Sequence, residues 1–415
     1  MISKRLVYEA YKRVKANKGA EGIDRQSIQD FDENLKGNLY NFDENLKGNL
    51  YKLWNRMSSG SYFPPPVLGV SIPKSGGGER LLGIPTVSDR IAQTVVKMVV
   101  EPLVEPFFHE DSYGYRPNKS ATDAIGVARK RCWRYDWVID LDIKGFFDNL
   151  DHDLVMKAVR KHVKINWAVL YIERWLKVPM QHGASLIDRD LGTPQGGVIS
   201  PILANLFLHY AFDEWMRRNH PTIPFERYAD DAVLHCKSEK QAHFIKDRVA
   251  RRLKHCGLEL HPGKTRIVYC QDDDRRGEYP YTQFDFLGYT FRKRSCRARS
   301  GKLFVGFSPA VSDKAKKSIR QTIRGWRIHL WSGASLESIA MEINPIIRGW
   351  INYYGQYNRS ELRFSLQQID YYLVRWMKSK YKTLRGRQLK AANRLRQLGQ
   401  KSPNLFAHWK AGFAR

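Results

Sequence analysis

Two adjacent aspartates inside an apolar, strand-forming run constrain the fold of this chain more than any other feature. The run extends from Arg227 to Leu234 and reads Arg-Tyr-Ala-Asp-Asp-Ala-Val-Leu, with β-type segments from Ile223 to Tyr228 and from Ala232 to Cys236. Because Asp-Asp favours a tight turn, the pattern predicts a hairpin with Asp230 and Asp231 at its tip. Two like charges on a half-buried hairpin are unfavourable unless something neutralises them. The interpretations are therefore a solvated turn or a bound divalent cation.

A second run with carboxylates, upstream of the first, favours the cation. Trp137 to Ile143 is an apolar strand-like run containing Asp140 and Asp142, which the period-two rule places on one face. Oxygen ligands from Asp142 and Asp230 suit Mg²⁺, which retains waters and takes substrate phosphates. Two strands that bring carboxylates to one point match two-metal phosphoryl transfer onto a 3′-hydroxyl. Asp140 is interpreted as structural.

These two segments resemble the active site of a known family, the reverse transcriptases of the bacterial group II intron type. The resemblance rests on Tyr-Ala-Asp-Asp and on Asp-Ile-Lys-Gly-Phe-Phe-Asp, which begins at Asp142. Further ordered matches are Ile72–Lys74, Arg80–Thr86, Ser112–Pro117, Gly192–Gly197, Phe286–Tyr289 and the maturase-like Ile347–Tyr354. The matches extend over nearly the whole chain, so the chain is identified as a member of this family.

The resemblance implies an α+β fold. We expect a right-hand polymerase with fingers and a ferredoxin-like palm, then an α-helical thumb (maturase X) domain and a basic C-terminal tail. The expected divisions are a helical extension over 1–70, fingers and palm over 71–291, thumb over 292–380 and a nucleic-acid-binding tail over 381–415. The order strand, helix, carboxylate hairpin, helix independently favours a split β-α-β palm.

One segment departs from the family pattern. Phe31–Asn41 is repeated as Phe42–Lys52 with a change only in the last residue, whereas the family has one such segment. Because a single tandem copy is too short to build a repeat architecture, we interpret it as a local duplication without a catalytic role.

By resemblance, Asp142 and Asp230 are the metal ligands, with the backbone carbonyl of Ile143 beside both the metal and the nucleotide. Asp231 is the supporting acid and is counted among the catalytic and metal-binding residues. The expected cofactor is Mg²⁺, as two ions, with Mn²⁺ able to substitute. Two carboxylate-held ions of this kind activate the primer hydroxyl and stabilise the leaving pyrophosphate.

Five further residues are expected to contact the incoming nucleotide. Phe147 matches the steric gate whose ring crowds a ribose 2′-hydroxyl, which favours DNA synthesis over RNA synthesis. Gln195 matches a loop residue that contacts the nucleotide. Lys264 is a candidate to protonate the pyrophosphate, and a solvated lysine is an equal interpretation. Lys74 and Arg80 flank a glycine-rich tip and would close over the triphosphate; the alternative is two solvated charges on a turn.

The charge balance indicates a polyanionic partner. Lys plus Arg outnumber Asp plus Glu by 70 to 42, which gives a formal net charge of +28 at pH 7. Between residues 292 and 327 the only acid is Asp313, and a helix of nearly one charge sign is better explained by bound phosphates than by solvation alone. The expected nucleic-acid contacts are Lys316, Lys317, Arg320, Arg324 and Arg327, and the expected inward stripe is Ala315, Ile319, Ile323 and Trp326.

The leading interpretation is an RNA-directed DNA polymerase that also assists splicing of its intron RNA. Its expected partners are a group II intron RNA or other RNA template, a DNA primer or target, and dNTPs, while no protein partner is indicated. No apolar run approaches the ~20 residues of a membrane span, so we expect a bacterial cytoplasmic protein, with nucleoid association left open. The chain is expected to lack the Cys-rich endonuclease domain of some relatives, because its five cysteines form no Cys-x-x-Cys pair.

Three alternatives stay open at this point. The first keeps the chemistry but assigns it to a free-standing relative in phage defence or DNA repair. The second is a non-enzymatic RNA-splicing cofactor, which the intact aspartates disfavour. The third is a cyclase on a similar palm, which the thumb and fingers motifs disfavour.

Overall fold

The structure, a computed structural model, describes residues 1–33, 48–73, 78–297 and 300–414 and has a mixed α/β architecture. The helices, in chain order, are α1 (Lys4–Ala16), α2 (Ile28–Glu33), α3 (Asn49–Ser58), α4 (Val87–Val104), α5 (Ala121–Cys132), α6 (His152–His162), α7 (Asn166–Leu176), α8 (Ser200–Leu208), α9 (Glu214–Asn219), α10 (Glu239–Lys254), α11 (Asp313–Gly325), α12 (Leu336–Tyr354), α13 (Arg363–Lys380), α14 (Gln388–Lys401) and α15 (Ala407–Lys410). The strands are β1 (Val67–Pro73), β2 (Glu79–Ile84), β3 (Trp137–Leu141), β4 (Met180–His182), β5 (Ser185–Ile187), β6 (Phe225–Tyr228), β7 (Asp231–Cys236), β8 (Arg266–Tyr269), β9 (Gln283–Phe286), β10 (Tyr289–Arg297) and β11 (Leu303–Val311).

Two predicted features fall outside the described residues. They are the nucleotide contact Lys74 and the greater part of the duplicated segment, residues 34–47. In the described part of the chain, no helix combines the length and the apolar character that crossing a bilayer requires.

The chain forms two compact units, each built from segments that are not consecutive. The first comprises Met1–Ser120, Leu141–Leu234 and His243–Thr265, and the second comprises Ala121–Asp140, His235–Ala242 and Arg266–Arg415. In the second unit, β3 pairs antiparallel with β8, which lies far along the chain, so the linear division expected from the sequence does not describe the compact units.

The first unit contains a four-stranded sheet of order β2-β1-β4-β5. In the antiparallel pair of β1 and β2, Ile72 lies opposite Arg80, whereas β1 and β4 run parallel. Helix α4 follows β2 closely, and its N-cap is Thr86, whose hydroxyl accepts the Asp89 amide at 3.2 Å. This cap satisfies one of the unpaired amides of the first turn.

The carboxylate hairpin is formed by β6 and β7. Tyr228 lies opposite Asp231, so Ala229 and Asp230 are the two residues of the turn. The predicted hairpin is present, with one correction: Asp231 is the first residue of β7 and is not at the tip. Ala229 has φ of 57°, in the left-handed region, which costs a residue with a Cβ roughly 1–2 kcal/mol. A positive φ at the first turn residue matches the strand twist of a two-residue hairpin.

A π-helical turn, His209–Asp213, separates α8 from α9. Such a turn inserts an extra residue into a helix and changes the direction of the side chains around it, and π turns are frequent at functional sites. Here it places Asp213 in the interior, where that residue has no exposed surface.

The second unit contains a three-stranded sheet of order β11-β10-β9 and the helices α11 to α15, which share one apolar core. Ala315, Ile319 and Ile323 of α11 are buried in that core, and Trp326 packs against it, as the helical spacing predicts. Ser312 caps α11 by accepting the Ala315 amide at 3.1 Å.

The predicted basic C-terminal tail is part of this core, which corrects the expectation of a separate tail. Phe406 and Trp409 are buried, and the Trp409 indole donates to Asp370 of α13 at 2.7 Å. His408 Nε2 lies 2.9 Å from the same carboxylate oxygen. The abundant basic residues of this segment mask a short apolar pattern that folds back onto α12 and α13.

Candidate active site

The two predicted metal ligands lie close enough for their charges to interact. Asp142 follows β3, and its backbone carbonyl accepts the His261 amide at 2.8 Å and the Thr265 hydroxyl at 3.3 Å. Asp230 lies half-buried in the hairpin turn. Burial raises the pKa of Asp230, and the charge of Asp142 raises it further, while Arg80 and Lys264 act in the opposite direction.

The donor set fits a divalent cation. Asp142 Oδ2 is buried and receives no directed hydrogen bond, although Lys264 Nζ lies 2.9 Å away as an ion-pair partner. Two neighbouring carboxylates repel each other unless positive charge offsets them, and in this structure Lys264 supplies part of that charge. Mg²⁺ accepts one or two protein carboxylates and fills its other positions with water or phosphate oxygens. Asp142 and Asp230 are therefore the side chains that would hold it.

Asp231 lies one residue beyond the turn. It is exposed, and because it already pairs with Tyr228 in the hairpin, its side-chain direction is set by the strand pleat and not by the turn. Across the described ranges of the chain, no three acidic, histidine or cysteine side chains converge as a metal cluster. The charge of Asp142 acts on Asp230, and the charges of Asp230 and Asp231 both act on Tyr115. Ile143, the predicted backbone ligand, is buried and forms a β-bridge with Leu260.

Two of the predicted nucleotide contacts surround the carboxylate pair. Arg80 is exposed on β2 and close enough to lower the pKa of Asp230. Lys264 is ion-paired with Asp142 but remains 64% exposed, so it is accessible to a bound phosphate. Both side chains can donate hydrogen bonds to the phosphate oxygens of a nucleotide bound beside the carboxylate pair.

Phe147 and Gln195 lie on two segments that contact each other. Phe147 is half-buried, with its ring edge-on to Phe146 at 5.2 Å, and its carbonyl accepts the Thr193 amide at 2.8 Å. The Gln195 amide donates to the Asp148 carboxylate at 3.2 Å. The loop that carries Gln195 therefore lies directly against the turn that carries Phe147.

A buried polar network fixes the far end of this loop and is not predicted by the motifs. Gln93 of α4 accepts the amides of Val198 and Ile199 at 2.7 and 3.2 Å, and donates to Asp89 at 2.9 Å. Burial raises the pKa of Asp89 to about 6, against the opposing effect of three hydrogen bonds, one of them from Trp175. Paired polar groups of this kind define a single arrangement of the loop.

Arg227 is a second residue whose role the motifs do not predict. Its side chain is 1% exposed and forms a bidentate ion pair with Asp213, at 2.7 Å from Nε and 2.6 Å from Nη2. Nη1 donates to the carbonyl of Ala229 at 3.0 Å, so the buried ion pair holds the strained turn beside Asp230. The sequence does contain one indication of this role, an arginine inside an apolar strand. A buried arginine requires an acidic partner, so such a residue predicts a buried ion pair.

Asn205 and Ser112 complete the contacts of this guanidinium. Nη1 donates to Asn205 Oδ1 at 3.1 Å, and Nη2 donates to Ser112 Oγ at 2.8 Å. The Asn205 amide in turn donates to the carbonyl of Gly114 at 2.6 Å. Gly114 lies so close to the turn that an added Cβ would be 2.4 Å from the Ala229 nitrogen.

The predicted nucleic-acid contacts of α11 divide into two groups. Lys317, Arg320, Arg324 and Arg327 are exposed. Lys316 is only 16% exposed and forms ion pairs with Glu361 at 2.8 Å and Asp313 at 3.2 Å. Since its charge is already neutralised inside the protein, Lys316 is not part of the exposed basic face.

Comparison with protein families gives two matches. Residues 72–291 match the family model described as reverse transcriptase (RNA-dependent DNA polymerase). Residues 316–395 match the group II intron, maturase-specific domain. The first match covers the carboxylate pair and the nucleotide-contact residues, and the second covers most of α11 to α14.

Similar proteins include two from bacteria. Group II intron-encoded protein LtrA of Lactococcus lactis subsp. cremoris is 26% identical over 467 residues, covering 91% of this chain and 73% of LtrA. Protein YkfC of Escherichia coli (strain K12) is 32% identical over 322 residues, covering 67% of this chain and 80% of YkfC. A solved structure of telomerase from Candida albicans with a telomeric RNA fragment has a TM-score of 0.46 at 12% identity. It covers 85% of this chain and 64% of the telomerase chain.

Proposed function

The chain belongs to the group II intron reverse transcriptase and maturase family, and we propose that its Asp142–Asp230 pair is the centre at which deoxynucleotides are joined to a primer on an RNA template. Membership makes the chain an RNA-directed DNA polymerase with a maturase domain, a combination that serves intron splicing and mobility. The observation that carries the proposal is the proximity of the Asp142 carboxylate to Asp230, whose pKa it raises.

The residues of this centre have separate tasks. Asp142 and Asp230 would hold two Mg²⁺ ions, or Mn²⁺ in their place, with the Ile143 carbonyl as a further ligand. Bound there, the ions would activate the primer 3′-hydroxyl and offset the charge of the triphosphate. Arg80 binds triphosphate oxygens, and Lys264 donates a proton to the leaving pyrophosphate when its ion pair with Asp142 opens. Gln195 orients the nucleotide from the loop.

The wider assignment follows the family. Residues 71–291 form fingers and palm, and the helices from α11 onwards form the thumb, whose exposed basic face contacts the template or the intron RNA. A-form RNA is recognised largely through its backbone and 2′-hydroxyls, which suits a face of Lys317, Arg320, Arg324 and Arg327. The DNA primer or target and the dNTPs are the other partners, and the bacterial cytoplasm is the proposed site of action.

Phe147 is proposed to exclude ribonucleotides, and Phe147→Ala tests this role. Without the ring, the clash with a 2′-hydroxyl disappears, so we expect discrimination against ribonucleotides to fall by roughly 10–100-fold. The measurement is kcat/KM for one dNTP and its rNTP on the same template and primer. Phe244→Ala removes a 55% exposed ring of α10 and serves as the control. Unchanged sugar selectivity in Phe147→Ala would remove the gate role from this residue.

Gly114→Ala is expected to displace the turn that carries Asp230. The new Cβ would meet the Ala229 nitrogen at 2.4 Å, so the turn must move, and an ångström-scale misplacement of a reacting group costs roughly 100-fold in rate. The measurement is the single-turnover rate of primer extension. Gly333→Ala is the control, because an added Cβ there meets nothing within 4 Å. Equal rates in the two variants would show that the turn tolerates the displacement.

Primer extension on an RNA template is the direct test of the proposed function. The purified chain is given an annealed DNA primer, dNTPs and Mg²⁺, and we expect extension that requires all three. If the folded protein binds RNA but extends no primer with either Mg²⁺ or Mn²⁺, the polymerase proposal fails and the splicing-cofactor interpretation takes its place.

A further inference from the structure

A cleft of about 550 Å³ lies in the second unit, where the end of α11, the turn Ile328–Leu330 and α13 meet. Its wall carries three arginines, Arg324, Arg327 and Arg375, and two rings, His329 and Tyr372. Arg375, His329 and Tyr372 lie within the maturase-specific match but in none of the sequence motifs described above. Among the described residues that line the cleft, none is acidic.

The charge of this cleft is not neutralised by the protein. In the part of the chain that the structure describes, none of its three guanidinium groups forms an ion pair with a carboxylate. This differs from Arg294 and Lys316 of the same unit, which share Glu361. Three like charges around one cavity repel each other, and an anion with several oxygens, such as a phosphate, relieves this by accepting forked hydrogen bonds.

One of the three arginines of the cleft, Arg327, has a strained backbone conformation. Arg327 has φ of 49°, in the left-handed region, although it carries a side chain. This conformation turns the chain sharply between α11 and Ile328–Leu330 and brings Arg327 to the same cavity as Arg375 of α13. Strained residues persist where the surrounding structure holds them, and they cluster at binding sites.

The rings of the cleft supply stacking surfaces. His329 and Tyr372 are nearly parallel, at 26°, with centroids 6.4 Å apart. The Arg375 guanidinium lies 5.8 Å from the Tyr372 centroid, so that ring has both an aromatic and a cationic neighbour. Burial, Arg375 and Arg327 lower the pKa of His329, which favours the uncharged form of its ring. Aromatic and guanidinium planes of this kind stack on nucleobases whose faces are free.

We propose that this cleft binds one unpaired nucleotide of an RNA strand, with the arginines on its phosphates and Tyr372 against its base. A paired nucleotide is excluded, because its base faces are covered by its neighbours in the helix. The inference rests on the proposed function, since it takes the template or intron RNA as the ligand. It adds a site for single-stranded RNA to the exposed α11 face, which binds backbone phosphates of any strand.

The test compares two RNA probes of equal length by fluorescence anisotropy, one unstructured single strand and one A-form duplex. Tyr372→Leu removes the stacking ring, and we expect the affinity for the single strand to fall by roughly 10-fold while the affinity for the duplex is unchanged. Arg375→Gln removes one charge and should also reduce the salt dependence of single-strand binding by about one phosphate contact. Arg363→Gln, exposed on the same helix, is the matched control and should alter both probes equally, if at all.

The following measurements decide whether the cleft binds single-stranded RNA. Unchanged single-strand affinity in Tyr372→Leu, or an equal loss for both probes, overturns the inference. Because Tyr372 is half-buried, thermal unfolding is measured for each variant, and Arg375→Gln decides the question if Tyr372→Leu is unfolded. Primer extension by the unmodified chain is recorded in parallel, so that failure of the polymerase proposal is distinguished from failure of this cleft to bind RNA.

Discussion

Asp230→Asn eliminates DNA synthesis, with an expected loss of at least ~10³-fold in the rate of primer extension, and leaves the affinity for RNA unchanged. The amide has nearly the shape of the carboxylate, so the turn is retained, but it lacks the charge that holds a divalent cation. RNA affinity is retained because phosphate contacts come from basic residues on other parts of the chain. Asp247→Asn, exposed on α10, is the control for loss of one acid.

Stability provides a second readout for the same variant. In the unmodified chain, Mg²⁺ at ~100 times its dissociation constant should stabilise the fold by about 2.7 kcal/mol, and Asp230→Asn should lose this effect. The folded-state pKa of Asp230 is raised, mainly by burial and also by Asp142. Its stabilising contribution without metal is therefore present at low pH and lost as pH rises through that pKa. Stabilisation by Mg²⁺ should consequently grow from acid to neutral pH.

Equal losses of RNA affinity and DNA synthesis in Asp230→Asn would contradict the separation of these two functions.

Arg227→Met has the largest expected effect on stability. It leaves Asp213 buried without its partner, and breaking a buried ion pair in this way costs about 3–5 kcal/mol. The measurement is the free energy of unfolding from denaturant titration. Arg227→Lys should recover part of this loss, because it keeps the charge but not the forked geometry that reaches both Asp213 and the Ala229 carbonyl.

A double variant separates stability from positioning. Arg227→Met with Asp213→Leu removes both charges, and replacing a buried pair by apolar residues is often neutral or stabilising. We expect the double variant to recover most of the unfolding free energy but not the rate of DNA synthesis, since the Ala229 carbonyl still lacks its donor. Recovery of both quantities would show that Asp230 is positioned without Arg227.

The features of the fold that could be predicted from the sequence are those that a local residue pattern determines. The hairpin around Asp230 follows from two strand-like runs and a turn, and the buried face of α11 follows from residues spaced at helical intervals. The approach of Asp142 to Asp230 is predicted from the family motifs, since no local pattern specifies which distant strands meet. The hairpin and the buried face of α11 are therefore the elements whose physical cause lies within a few residues of sequence.

The remaining features depend on contacts between distant segments. Asp231 begins β7 and is not at the hairpin tip because the turn ends one residue before it, a detail of backbone register. Lys316 is ion-paired because Glu361 approaches it from another element. Asp213 reaches Arg227 through a π-helical turn, which no residue pattern of α8 indicates. The segment after residue 381 packs into the core because Asp370 provides partners for His408 and Trp409.

The most direct measurement of the central claim is a crystal structure of the chain soaked with Mn²⁺, which replaces Mg²⁺ and is identified by its anomalous scattering. The account predicts an anomalous peak within coordination distance of a carboxylate oxygen of both Asp142 and Asp230. The account would be contradicted if saturating Mn²⁺ gave no anomalous peak between these two side chains. It would also be contradicted if the peak lay elsewhere in a protein that still synthesises DNA.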